Sequence, residues 1–117
     1  MKNRAFRFRL QCALQGIFFA FRNEASFRTQ TIAAAAACIA LVLLRPALVW
    51  VALVLVMISL VFAAELFNTA LEQVLDGLHP EKAEFIRIAK DCAAGSVLVL
   101  SLASVAVFIL MLCAGPA

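Results

Sequence analysis

The chain has 117 residues, of which 66% are hydrophobic and 15% charged, with a net charge of +3 and a mean hydropathy of +1.05. A soluble domain carries about a quarter charged residues and about half apolar ones, so this sequence cannot cover a globular surface with polar groups and a soluble monomer is excluded. The length suits one domain, 1–117, and the small positive charge suits anionic lipid headgroups rather than nucleic acid.

The first segment, about 5–26, is too rich in arginine to cross a bilayer. On a helical wheel Arg4, Arg7, Gln11, Gln15 and Arg22 form one stripe, while Phe6, Leu10, Ala13, Leu14, Ile17 and Phe21 gather on another face. That spacing predicts an amphipathic helix lying in the membrane interface. Arg9 and Glu24 depart from the polar stripe.

Three long charge-free stretches follow: 29–44, 46–64 and 92–117. A spanning helix needs roughly 20 apolar residues, and Arg28 and Arg45 can snorkel at the ends of the first and shortest stretch. The expected spans are about 29–45, 47–66 and 92–114, giving an all-α integral membrane protein. The alanine run Ala33–Ala37 lets helix backbones approach closely in lipid, so the first span is expected to pack inside an assembly. Pro46 suits a helix start, and no breaker follows until Gly77. That helix of about thirty residues would be ~45 Å long, so its last turns reach beyond the hydrocarbon. Gly77 and His79-Pro80 read as its stop, and 81–91 as a charged link.

Basic residues concentrate before Arg28 and at Lys82, Arg87 and Lys90. The excess of Lys and Arg on the cytoplasmic side puts the N-terminus and 75–91 in the cytoplasm and the C-terminus outside. No cleaved signal peptide is expected. Cys12, Cys38, Cys92 and Cys113 show no CxxC or Cys/His spacing and read as free packing residues.

The chemistry concentrates at the end of the second span. Glu65, Asn68, Glu72 and Asp76 fall within about 80° of one another on a helix. Like charges at i, i+4 repel and no basic residue in that segment compensates, so the row calls for a cation: a Lys or Arg from elsewhere, or a metal. An ionisable residue at the hydrocarbon edge, as Glu65 is, is a functional candidate by default. Mg²⁺ takes one or two carboxylates, with water and phosphate completing its shell. Glu72 with Glu24, held at the same interface, would suffice. Lys90 can neutralise phosphate oxygens, and Asp91 can accept a ribose hydrogen bond or orient Lys90. No Walker A or kinase glycine-rich loop is present. A channel or proton-coupled subunit using Glu65 would leave Glu24 and Lys90-Asp91 without a role. A structural subunit docking a cytoplasmic partner through its charged face is a further alternative.

The run Glu65-Leu66-x-Asn68-Thr69-Ala70-Leu71-Glu72-x-Val74-x-Asp76 resembles the signature of the prokaryotic diacylglycerol kinase family, which includes the undecaprenol kinases. Asn23-Glu24-Ala25-x-Phe27-Arg28 and Ala89-Lys90-Asp91 resemble that family's other landmarks, in the same order. The resemblance implies a homotrimer of three-span protomers with an N-terminal surface helix in the bacterial inner membrane, phosphorylating a lipid alcohol with Mg·ATP at the cytoplasmic interface. It makes Glu65 the general base and Asn68 its positioning partner. Glu24 and Glu72 would hold Mg²⁺ at the ATP phosphates. Lys90, Asp91, Glu81, Lys82 and an N-terminal arginine, for which Arg9 is favoured, would contact nucleotide. The expected substrate is 1,2-diacylglycerol, converted to phosphatidic acid. Ala93-Ala94 before Gly95-Ser96 is closer to the undecaprenol branch, which is the alternative.

Overall fold

The computed structural model describes residues 5–78 and 83–117, and all four of its regular elements are helices. They are α1 (Phe6–Asn23), α2 (Ala25–Leu44), α3 (Leu48–Leu78) and α4 (Glu84–Ala114). The last three are long and apolar enough to cross a membrane.

One residue separates α1 from α2. Glu24 is extended (φ −115°, ψ 114°) and serves as C-cap of the first helix and N-cap of the second, its N–H donating to Ala20 O at 2.8 Å. Arg28, one turn into α2, donates through Nη1 to the carbonyls of Phe21 and Arg22 at 2.9 and 3.0 Å. Those carbonyls have no partner inside α1, and a cation at a helix C-terminus also suits its dipole. The expected helix over 5–26 therefore divides at Glu24, and Ser26 belongs to α2.

At the other end of α2, Arg45 takes a left-handed conformation (φ 51°, ψ 55°) and its N–H donates to Leu41 O. Pro46, buried, lies in the turn rather than opening the next helix. The chain end returns to this corner, where the Ala117 N–H donates to Arg45 O at 3.0 Å.

The 31 residues of α3 and of α4 each extend about 46 Å at 1.5 Å per residue, well beyond a hydrocarbon core of about 30 Å. The second therefore begins earlier than the expected third span, and 84–91 is helix instead of link. Glu84, Arg87 and Asp91, three and four residues apart, stabilise that first stretch. Arg87 Nε donates to Glu84 Oε1 at 2.7 Å and Arg87 Nη1 to Asp91 Oδ2 at 3.0 Å, the spacing at which helical ion pairs form. Glu84 in the first turn also favours the dipole.

α3 and α4 pack together along much of their length, while α2 meets α3 over a shorter stretch. Val54, Val61, Ala64 and Met111 are buried, and the Phe27 and Phe62 rings meet with centroids 5.2 Å apart. Gln30 Nε2 donates to Ser101 Oγ at 3.2 Å, joining α2 to α4. Next to it a cleft of about 220 Å³ is lined by Ala33, Ala34 and Ala37 of α2 and by side chains of α3 and α4. Most large apolar side chains, among them Ile32, Val42, Leu48, Leu98 and Leu110, are exposed. Such a surface suits acyl chains rather than water. All four cysteines are free, and three of them are exposed in the single chain.

Candidate active site

Glu65 is the best buried carboxylate of the described residues, with 1% exposure. It faces a neighbour from the start of α2: Ser26 Oγ donates to Glu65 Oε2 at 2.9 Å. Its second oxygen, Oε1, is buried without a hydrogen-bond partner, and no other side-chain nitrogen or oxygen among the described residues is left so. Thr69 returns its hydroxyl to the Glu65 carbonyl at 3.0 Å.

One turn further along α3, Asn68 Nδ2 donates to Glu72 Oε1 at 3.2 Å. Glu72 is half-buried, and its carboxyl is held above its ordinary value of 4.5. Burial is the largest cause, followed by the negative charge of Glu24; Asp76 and Glu65 add to the rise, and Lys90 opposes it. Four charged groups from three parts of the chain therefore act on Glu72. The helix corner brings Glu24 there, and α4 brings Lys90. Lys90 Nζ donates to Asp76 Oδ1 at 2.6 Å, and this hydrogen bond raises the ammonium above 10.5 against a smaller effect of burial.

The acidic row thus meets its need for positive charge only in part. Lys90 satisfies Asp76, while Glu24 raises the cost of ionising Glu72. Glu24 spends none of its carboxylate on capping α2. Glu72, anchored by an amide, and Glu24, whose charge acts on it, fit the donor set of a Mg²⁺ ion that takes its remaining ligands from water and phosphate. Among the described residues no cluster of three or more His, Cys, Asp or Glu that could hold a metal ion is found.

Beside Glu65 an apolar trough of about 530 Å³ opens between α1 and the α2–α3 pair, lined by Leu14, Ile17, Phe21, Phe27, Phe62 and Leu66. Its lining takes in Leu66, the residue that follows Glu65 in the sequence.

Of the residues singled out in the sequence, Glu24, Glu65, Asn68, Glu72 and Lys90 come together. Asn68 is bonded to Glu72 rather than to Glu65. Asp91 is engaged by Arg87, so the partner of Lys90 is Asp76. Arg9 is exposed in the first half of α1, some four turns before Glu24, and among the described residues no hydrogen bond or ion pair joins it to the acids. Glu81 and Lys82, with His79, Lys2 and Arg4, lie outside the described residues. Ser26 was not singled out, because its importance depends on α2 crossing α3 at Glu65.

The sequence profile of prokaryotic diacylglycerol kinases matches residues 11–112. A diacylglycerol kinase from Synechocystis is 40% identical over 96 residues, covering 81% of this chain and 55% of that protein. One from Haemophilus influenzae is 36% identical over 90 residues, 74% of each chain. An undecaprenol kinase from Bacillus subtilis is 31% identical over 90 residues, 77% of this chain and 73% of its own. The chain thus spans little more than half the length of the Synechocystis relative.

Proposed function

The chain belongs to the prokaryotic diacylglycerol kinase family, and we propose that it transfers the γ-phosphoryl group of ATP to the hydroxyl of a membrane lipid alcohol. The first candidate is 1,2-diacylglycerol, with phosphatidic acid as product. Undecaprenol is the second, favoured by the Bacillus relative and by Ala93-Ala94.

The observation that carries this reading is Glu65: a buried carboxylate with one oxygen held and one bare, next in sequence to Leu66 of the apolar trough and among the charges that act on Glu72. A lipid hydroxyl reaches water only at the bilayer boundary, where α3 outruns the hydrocarbon. There Glu65 accepts the hydroxyl proton as the lipid oxygen forms its bond to the γ-phosphorus. The bond from that phosphorus to the β,γ-bridging oxygen breaks, and ADP leaves. Phosphoryl transfer is mainly positioning and charge stabilisation, so the remaining residues hold rather than react. Glu24 and Glu72 are the residues that would hold Mg²⁺, which when bound neutralises phosphate charge. Asn68 fixes the Glu72 carboxylate, and through it the spacing to Glu65 one helical turn away. Lys90, released from Asp76, neutralises phosphate oxygens. Asp91, Arg9, Glu81 and Lys82 are assigned to nucleotide.

In this reading α1 is an amphipathic surface helix whose phenylalanines close the trough over an acyl chain. The basic N-terminal part and the acidic site face the bacterial cytoplasm, and the C-terminus lies outside the inner membrane. A homotrimer would cover the open alanine face of α2. The test is a substrate panel: purified protein in mixed micelles with Mg²⁺, γ-labelled ATP and each lipid alcohol in turn. Label in phosphatidic acid is expected, and absence of label in every lipid overturns the proposal.

A further inference from the structure

We infer that Ser26 is a positioning residue for the transfer, holding one oxygen of Glu65 so that the other is left for the lipid hydroxyl. The inference rests on Glu65 acting as the base. Helical serines and threonines ordinarily return their hydroxyls to a carbonyl one turn back. Thr29, Thr31, Ser59 and Thr69 all do so, each to the residue four positions earlier. For Ser26 that residue is Arg22, which belongs to α1 on the far side of the corner at Glu24. Its hydroxyl lacks the usual acceptor and instead reaches across to α3, where it donates to Glu65 Oε2 at 2.9 Å.

A buried carboxylate with no donor rotates or draws in water. With one donor on Oε2, the bond fixes the rotation of the group, and Oε1 keeps an unused acceptor position. The corner that carries Glu24 thus carries, two residues on, the group that orients Glu65. Movement of this corner would displace the metal-holding acid and the base together. Ser26 is itself largely exposed, so removing its oxygen leaves no cavity, and alanine is the better helix former.

The experiment compares wild type, Ser26→Ala, Ser26→Thr and Glu65→Gln as full-length protein in lipid mixed micelles. Steady-state kinetics and Mg·ATP binding are measured for each. Ser26→Ala is expected to lower kcat roughly tenfold to a hundredfold, the usual worth of a hydrogen bond to a charged group. The KM and binding of Mg·ATP should stay within about twofold, the scale of an ordinary surface substitution. Ser26→Thr, which keeps the hydroxyl, should restore most of kcat. Wild-type kcat in Ser26→Ala alongside an inactive Glu65→Gln overturns the role of Ser26 and leaves the base in place. Equal losses in the alanine and threonine variants, or a weakened Mg·ATP site, would make the contact one of packing and also overturn it. Full turnover in Glu65→Gln removes the base itself, and the inference with it.

Discussion

Glu65→Gln separates chemistry from folding, because the two should move in opposite directions. The side chain is 1% exposed. One oxygen receives the Ser26 hydroxyl and the other receives nothing. Taking a carboxylate out of water costs several kcal/mol, and a single hydrogen bond to a charged group offsets about 1.5–3 kcal/mol of it. Glutamine keeps an oxygen for Ser26 and exchanges the bare anionic oxygen for a neutral amide, whose unmet hydrogen bonds cost about 1–3 kcal/mol. The variant should therefore be as stable as wild type or more so, by up to about 2 kcal/mol on these figures. A general base contributes roughly a hundredfold to ten-thousandfold, or about 2.7–5.4 kcal/mol at 1.36 kcal/mol per decade, and glutamine cannot take a proton. Denaturant unfolding in detergent and turnover on diacylglycerol, run on the same preparation, give both quantities. Turnover within tenfold of wild type, or a stability loss above about 1 kcal/mol, beyond the usual effect of a neutral surface change, would refute the reasoning.

Three further outcomes are expected. Glu72→Gln should weaken Mg·ATP binding while raising stability near neutral pH by a few tenths of a kcal/mol, the scale of like-charge repulsion on a helix. The sign follows from a carboxyl held above 4.5 by burial and by Glu24. The stability it contributes is present below about pH 4.5 and is lost as pH rises through the raised value, and glutamine removes that loss. For the same reason Mg²⁺ affinity of the wild type should begin to fall on acidification above the ordinary carboxylate range, which a titration at stepped pH would detect. Lys90→Met should weaken Mg·ATP binding roughly tenfold at low salt, with the deficit shrinking near 1 M salt, where screening acts over about 3 Å. Arg45→Gly should stabilise the chain by up to about 1 kcal/mol without changing turnover, because only glycine takes the left-handed conformation without steric cost.

The membrane architecture was legible because charge-free stretches of spanning length are a one-dimensional signal. The acid row was legible too, since Glu65, Asn68, Glu72 and Asp76 share a face by helical period alone, although Asn68, expected to serve Glu65, pairs with Glu72 four residues on. The corner at Glu24 was not, because neither glycine nor proline marks it. What ends α1 there is Arg28 reaching back to two carbonyls. Ser26 was hidden for a related reason: its partner lies 39 residues away, and only the crossing of α2 on α3 joins them. The pairing of Lys90 with Asp76 rather than Asp91 depends on how α4 returns alongside α3. The helical start of α4 was carried by the Glu84, Arg87 and Asp91 spacing, which also reads as a run of charge.

In the proposed mechanism Glu24 and Glu72 together hold a divalent cation. Mn²⁺ in place of Mg²⁺, followed by electron paramagnetic resonance with a non-hydrolysable ATP analogue, reads that binding without any turnover. Glu24→Gln and Glu72→Gln should each weaken Mn²⁺ binding by about tenfold or more, the scale of losing a metal-site group, while Glu84→Gln, whose carboxylate pairs with Arg87, should bind as wild type does. Unchanged Mn²⁺ affinity in both of the first two variants would contradict the account.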